Sequence, residues 1–243
     1  MKTNDKKMVV MLSGANRGIG ERIAKRLVSE GCILSLGARK IDKLQNKFNA
    51  FDRNTVLCNW YDAEVPESAI KWMDATIGQH GRIDALINNA GIFRSTIIED
   101  FNKQNEEVVD ELWTVNVKGP LRLISLAFPY LKKSGRGKVI NLSSLSGKRV
   151  RGISVGYEMS KFALTALTHS VRYSGWEHGI RATAICPGWV NTQMVKDARQ
   201  NIIEPKQMTQ PEDVATLIST ILKLPNTASI SELYVNCVLE SSF

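Results

Sequence analysis

Met8-Val9-Val10-Met11-Leu12-Ser13-Gly14-Ala15-Asn16-Arg17-Gly18-Ile19-Gly20 is the stretch that decides the fold of this chain. Its first five residues form a short apolar run, as a buried strand does. Three glycines follow. Beyond them Ile23, Ala24, Leu27 and Val28 fall on one face of a helix, with charges on the other. Strand, glycine turn and helix in that order make the first half of a dinucleotide-binding βαβ unit. Glycine lets the backbone approach a pyrophosphate closely, and a helix N-terminus favours its negative charge. The spacing here is G-x-x-x-G-x-G rather than G-x-G-x-x-G.

Working outward, Cys32 to Leu36 predicts a second strand, closed by Gly37-Ala38-Arg39-Lys40. A carboxylate about 20 residues past the glycine turn would hold the ribose 2′-hydroxyl of NAD. No acid stands here. Arg39 and Lys40 do, and Arg17 lies inside the glycine loop. A guanidinium suits a 2′-phosphate through charge and paired hydrogen bonds, so the expected cofactor is NADP(H).

Further strands are predicted at Thr55–Trp60, Ile83–Ile87, Lys138–Leu142, Arg181–Cys186 and Glu232–Val238. Between them fall helices at Pro66–Gln79, Glu106–Lys133, about Tyr157–Trp176 and Pro211–Leu222. Regular alternation with short connections predicts one α/β domain, an open parallel sheet with helices on both faces. Residues 1–7 read as a polar tail ahead of a domain spanning 8–243. Residues 195–208, polar and without a clear period, read as a loop or lid over a site.

The chain has 243 residues, 43% hydrophobic and 23% charged, the balance of a globular protein. No apolar run is long enough to cross a bilayer, and no signal-peptide core follows the polar start. The expected location is the cytoplasm. Net charge is +8, but Lys and Arg are scattered and no nucleic-acid motif accompanies them, so nucleic acid is not an expected partner. Cys32, Cys58, Cys186 and Cys237 stand singly, which argues against a disulfide framework or a metal site. Most of them fall in apolar runs and read as reduced core residues. His80, His169 and His178 lack ligand-like spacing and read as structural or surface residues.

The chemistry is concentrated in Ser144–Lys161. On a helix, Tyr157 and Lys161 sit one turn apart on the same face. A phenol titrates near ~10, and a fixed ammonium beside it favours the phenolate. A tyrosine tuned in that way can exchange a proton with a substrate oxygen. Ser144 precedes Tyr157 by thirteen residues and, from a strand end, its hydroxyl can reach the same oxygen. Asn116, in the middle of a predicted helix, reads locally as a residue facing solvent.

Taken together these motifs resemble the short-chain dehydrogenase/reductase family over nearly the whole chain. Ser13-Gly14-Ala15-Asn16-Arg17-Gly18-Ile19-Gly20 is similar to its cofactor loop, with Ser13 where threonine is commoner. Asn88-Asn89-Ala90-Gly91 is similar to its NNAG motif, and Asp62 to the aspartate that contacts adenine. Asn116, Ser144, Tyr157 and Lys161 are similar to its catalytic tetrad. Pro187 and Gly188, with Val190 and Thr192, correspond to the segment beside the nicotinamide. The resemblance implies a Rossmann-like doubly wound domain, often a homotetramer or homodimer. It also implies hydride transfer between nicotinamide and a carbonyl or secondary alcohol. Tyr157 would then be the proton donor and Ser144 would stabilise the carbonyl oxygen. Lys161 would lower the Tyr157 pKa and bind the nicotinamide ribose. Asn116 would hold a water that links Lys161 to solvent.

The sequence departs from the family in three places. Glu158 follows Tyr157 where a small residue is usual, the ending Val235-Asn236-Cys237-Val238 lacks the common Asp-Gly-Gly, and the 195–208 segment is short. Arg94, Lys148, Arg149 and Arg151 lie near the pocket motifs, and Lys196 and Arg199 on the lid, so an anionic carbonyl compound is one expectation for the substrate. Phe93, Trp113 and Trp189 are candidates for apolar walls. Carbonyl reduction is the expected activity. The rival expectations are alcohol oxidation on the same scaffold and a non-enzymatic cofactor sensor.

Overall fold

The computed structural model describes residues 7–151, 154–198 and 203–240. Its strands are β1 Val9–Ser13, β2 Ile33–Ala38, β3 Val56–Trp60, β4 Ala85–Asn88, β5 Lys138–Leu142, β6 Arg181–Pro187 and β7 Glu232–Val235. They form one seven-stranded sheet in the order β3-β2-β1-β4-β5-β6-β7, and every neighbouring pair is parallel. The helices are α1 Gly18–Ser29, α2 Ile41–Phe48, α3 Pro66–His80, α4 Lys103–Trp113, α5 Gly119–Ser134, α6 Val155–Gly175, α7 Gln193–Asp197 and α8 Pro211–Lys223.

A parallel sheet is covered on both faces, so its central strands are buried and mostly apolar. All five residues of β1 and of β5 are buried. Side chains alternate between faces along a strand, and β1 supplies two cores accordingly. Val10 and Leu12 pack with Ile23 and Leu27 of α1 and with Val214 and Ile218 of α8. Met11 packs on the other face with Trp72 of α3 and with Leu123 and Leu131 of α5. The register leaves no room for slippage, because a one-residue shift would exchange the two sets. At Gly37 a Cβ would come within 2.7 Å of the Trp72 ring. Only glycine there lets β2 accept the indole, whose Nε1 donates to Ser35 Oγ at 2.9 Å.

The chain runs outward from β1 in two directions, through β2 and β3 on one side and β4 to β7 on the other. Open α/β sheets bind ligands at that reversal, outside the carboxyl ends of the strands. This doubly wound α/β architecture is the one expected.

Four details differ from the expectation. The helix predicted over 106–133 is α4, one π turn at Thr114–Lys118, and α5. The 195–208 segment carries the end of α7 and a 3-10 turn at Pro205–Gln207, and its residues 199–202 lie outside the described residues. The last strand ends at Val235 rather than Val238. Of the four cysteines, all free, Cys186 alone is fully buried and Cys32, Cys58 and Cys237 are half-buried. Among the described residues no helix is long and apolar enough to cross a membrane.

Candidate active site

The glycine loop is held from behind. Gly14 N–H donates to Gly37 O at 2.7 Å. Gly14 and Gly18 adopt φ of +70° and +56°, values L side chains rarely adopt. A Cβ on Gly14 would lie 2.9 Å from Ala90 Cα and from Asn89 Nδ2. The Asn89 amide donates to Ser13 O and Gly14 O at 3.0 and 3.1 Å. Ser13 Oγ accepts from Asn89 N and Ala90 N at 3.1 and 3.0 Å. The Asn88–Gly91 segment therefore braces the loop. Ser13 and Gly20 stand behind it, and Gly14, Asn16, Arg17, Gly18 and Ile19 face the cleft.

One continuous cleft of about 590 Å³ runs along the carboxyl ends of the strands. At one end stand Arg17, Arg39, Lys40, Lys43 and Lys47, with Asp62 nearby. Arg39 lies 3.6 Å from Glu64, both side chains about half exposed. In the middle are Asn89, Ala90 and Gly91, with Val190 and Thr192 opposite. At the other end Ser144, Tyr157 and Lys161 converge with Pro187 and Gly188. A charged, glycine-lined cradle at a helix N-terminus suits a pyrophosphate, and the cations beside it suit a further phosphate. The residues present fit a nicotinamide dinucleotide.

Helix α6 delivers Tyr157 and Lys161. Its start is fixed by the buried Thr96, whose carbonyl accepts from Val155 N at 3.0 Å and whose Oγ1 accepts from Gly156 N at 2.9 Å. Lys161 Nζ donates to Leu142 O at 2.8 Å and lies 5.7 Å from the centre of the Tyr157 ring. Phe93 meets that ring edge-on, centroids 5.0 Å apart. Burial pushes the Tyr157 phenol up to about 12, against a hydrogen bond with Ser144 that works to lower it. Burial pushes the Lys161 ammonium down to about 8. The expectation that Lys161 draws the phenol down does not describe this state. Loss of hydration is the largest influence on each group.

Asn116 does not face solvent. It sits in the π turn, which inserts one extra residue and rotates it inward, and is 1% exposed. Its Oδ1 accepts from Ile92 N at 2.9 Å, and its Nδ2 donates to Ile92 O and to Ser160 Oγ at 3.0 Å each. A Cβ on Gly91 would lie 3.2 Å from Asn116 Oδ1 and 3.6 Å from Lys161 Nζ, so these three residues meet at one point.

Residues 8–203 match the short chain dehydrogenase family. The chain belongs to that family. It is 38% identical to an agropine synthesis reductase of Rhizobium rhizogenes over 96% of this chain and 53% of that protein. It thus spans about half the length of those relatives. It is 33% identical to an uncharacterized oxidoreductase of Staphylococcus saprophyticus, over 96% of both chains. An alcohol dehydrogenase of the archaeon Thermococcus sibiricus, solved with 5-hydroxy-NADP, superposes with a TM-score of 0.85 at 26% identity, covering 97% of this chain and 98% of that one.

The family to which this chain belongs works with a nicotinamide cofactor. Several residues expected near the substrate are engaged with protein partners. Arg94 pairs with Glu111 at 3.0 Å, Lys148 with Glu232 and Arg149 with Glu240, each at 2.8 Å, and Arg151 with Glu240 at 2.8 Å. The anionic substrate suggested by these cations therefore gains no support from their placement. The carbonyl of Trp189 accepts from Cys237 Sγ at 3.7 Å. Arg199 lies outside the described residues. Glu158 is buried, not on the solvent side of α6.

Ser160 was not singled out by the sequence. It donates to Tyr157 O at 2.7 Å and accepts from Asn116, joining Asn116 to the Tyr157 backbone. Gly156, Ser160 and Leu164 form a buried stripe at four-residue spacing. A polar residue in such a stripe was the available signal.

Proposed function

We propose that this short-chain dehydrogenase is an NADP(H)-dependent oxidoreductase that reduces an aldehyde or ketone to the alcohol. The observation that carries the reading is the convergence of Ser144, Tyr157 and Lys161 at one end of a cleft whose other end is lined by Arg17, Arg39 and Lys40. The cofactor, when bound, supplies the hydride. Ser144 Oγ and the Tyr157 hydroxyl hydrogen-bond the carbonyl oxygen and stabilise its developing charge. With its pKa at about 12, Tyr157 is protonated at neutral pH and gives its proton to that oxygen as the alcohol forms. Lys161, fixed by Leu142 O, stands beside the resulting phenolate and favours it. Asn116 ties the Ile92 backbone to α6 through Ser160 and so holds the two walls at a fixed spacing. By this reading Pro187, Gly188, Val190 and Thr192 flank the nicotinamide, Asp62 faces the adenine, and the described parts of the 195–208 segment, 195–198 and 203–208, border the substrate.

The relatives support reduction in name, and the solved alcohol dehydrogenase bound to an NADP derivative supports the cofactor. That same alcohol dehydrogenase keeps alcohol oxidation as a second reading of the same residues. We place the enzyme in the cytoplasm as a single domain with a polar tail, and assign it a homotetramer or homodimer. Trp113, Leu121, Met159 and Phe162, exposed on adjoining helices α4 to α6, support the assembly, which light scattering on the purified chain reads directly.

The test is consumption of NADPH, with NADH in parallel, across a panel of aldehydes and ketones, wild type beside Tyr157→Phe. Turnover with NADPH that Tyr157→Phe lowers by about 10²–10⁴-fold is the expected result. No turnover of any carbonyl, with NADP-dependent oxidation of alcohols instead, would select the second reading.

A further inference from the structure

Three cations stand between Ser144 and Tyr157, and each meets a glutamate from the far end of the chain. Lys148 Nζ lies 2.8 Å from Glu232 on β7. Arg149 donates from Nε and Nη2 to Glu240 Oε2 at 3.0 and 2.8 Å. Arg151 Nη2 lies 2.8 Å from Glu240 Oε1. The Glu240 side chain is 8% exposed and that of Arg149 20%, so this contact is largely out of water. The same C-terminal segment is fastened to the exit of β6. Gly188 N donates to Val235 O at 2.7 Å. A Cβ on Gly188 would come within 2.4 Å of Asn236 Oδ1, and Cys237 Sγ lies 3.7 Å from Trp189 O. Ser144 Oγ reaches Pro187 O at 3.4 Å, so the two segments joined in this way are the two that flank the reacting centre.

We propose that Glu232–Glu240 is a clasp across the substrate side of the site, and that Glu240 is a positioning residue which fixes the Lys148–Arg151 segment through Arg149 and Arg151. Glu240 does this without touching substrate or cofactor. The ending that departs from the family pattern thereby gains a physical role. Where a glycine-rich turn is usual, it supplies side chains that lock the segment joining Ser144 to Tyr157. A fixed connection between those two residues is what a well-oriented substrate needs, because small displacements of positioning groups cost rate.

The proposal rests on the reading of Ser144, Tyr157 and Lys161 as the reacting centre, and the experiment separates the two. Glu240→Gln and Glu240→Asp are made in the full chain. Three readouts are taken: NADPH binding, KM and kcat for a carbonyl that the wild type accepts, and hydrogen exchange at the Gly147, Lys148 and Arg149 amides, which are bonded to Ser144 and Leu145 carbonyls. For Glu240→Gln, KM should rise about tenfold with kcat within about twofold, the size of a coupling between contacting charged groups. NADPH affinity should be unchanged, and the three amides should exchange about tenfold faster. Glu240→Asp should recover most of both effects. Wild-type KM and wild-type exchange in Glu240→Gln would overturn the clasp, as would a loss of NADPH affinity equal to the rise in KM. Should Glu240→Gln fail to fold, Arg151→Gln, at a side chain 45% exposed, tests the same contact by the same readouts. A wild type that reduces no carbonyl sinks the functional reading alone, and exchange still decides the clasp.

Discussion

Lys148 and Lys161 border the same short stretch of chain and titrate in opposite directions. Burial acts to lower both. At Lys148 the Glu232 carboxylate, 2.8 Å away, outweighs it and raises the ammonium above its usual range. At Lys161 the hydrogen-bond partner is the neutral carbonyl of Leu142, and burial wins, pulling the ammonium down to about 8. A half-buried cation with a carboxylate holds structure together. A buried cation left to a carbonyl is a cost that folding alone does not explain, and such groups gather at sites that do chemistry.

The largest effect should follow from removing the second cation. Lys161→Met should lower turnover by about 10³-fold, the order contributed by the Tyr157 proton transfer that it supports. It should also stabilise the protein without cofactor. The folded pKa of Lys161 is depressed, so at neutral pH the fold must either carry a poorly hydrated charge or lose a proton. The gain on removing it is at most about 3 kcal/mol, from the fall of its pKa from 10.5 to about 8, less what the bond to Leu142 O contributes. Thermal melts of both proteins without cofactor read it, and a lower Tm in Lys161→Met would break the contrast. The wild type should itself become more stable as pH rises from about 8 toward 10.5. Over the same range kcat/KM for NADPH, which reports the free enzyme, should fall as Lys161 loses its charge.

That contrast was not legible in the sequence, where both residues are simply lysines near the same motif. What was legible is what repeats with a period or punctuates a turn. The apolar run Val9–Leu12 with Gly14 and Gly18 fixed β1, the loop and α1 because a buried parallel strand and a positive φ leave few alternatives. Tyr157 and Lys161 were legible because helical spacing places them on one face. Asn116 was misread. Helical periodicity assumes 3.6 residues per turn, and the π turn at Thr114–Lys118 swings the residue inward without any local mark. Ser160 was missed for a related reason, since its partners Asn116 and Tyr157 O are set by how α6 packs. The clasp was out of reach altogether: Arg149 and Glu240 are paired by topology, ninety-one residues apart, and no local rule links them.

The next effect tests the paired lysine. Burial raises the Glu232 carboxyl, but hydrogen bonds from Lys148, Tyr234 and His169 outweigh that and hold it at about 2. A depressed carboxylate contributes stability that is present above its unfolded value of 4.5 and lost as pH falls through about 2. The contribution is at most about 3 kcal/mol. Glu232→Gln should therefore lose up to that amount at about pH 7, and its stability should fall less steeply between pH 4.5 and about 2 than that of the wild type. Parallel acid limbs for the two proteins would show that Lys148 does not depend on Glu232, and the distinction between the lysines would fail.

The smallest effect concerns a third cation, neither buried nor tightly paired. Arg39 lies 3.6 Å from Glu64, both side chains about half exposed, and such pairs contribute roughly 0–1 kcal/mol. If Arg39 reads the 2′-phosphate of NADP(H), Glu64 competes with that phosphate for the guanidinium. Glu64→Gln should then tighten NADPH binding, by at most about fivefold, and leave NADH nearly unchanged, because NADH offers nothing for Arg39 to gain. Titration with both cofactors decides it. Equal tightening of both would mean that Glu64 acts only through the general field of the basic rim, where Arg17, Lys40, Lys43 and Lys47 would attract either pyrophosphate alike, and Arg39 would lose its claim to select between them.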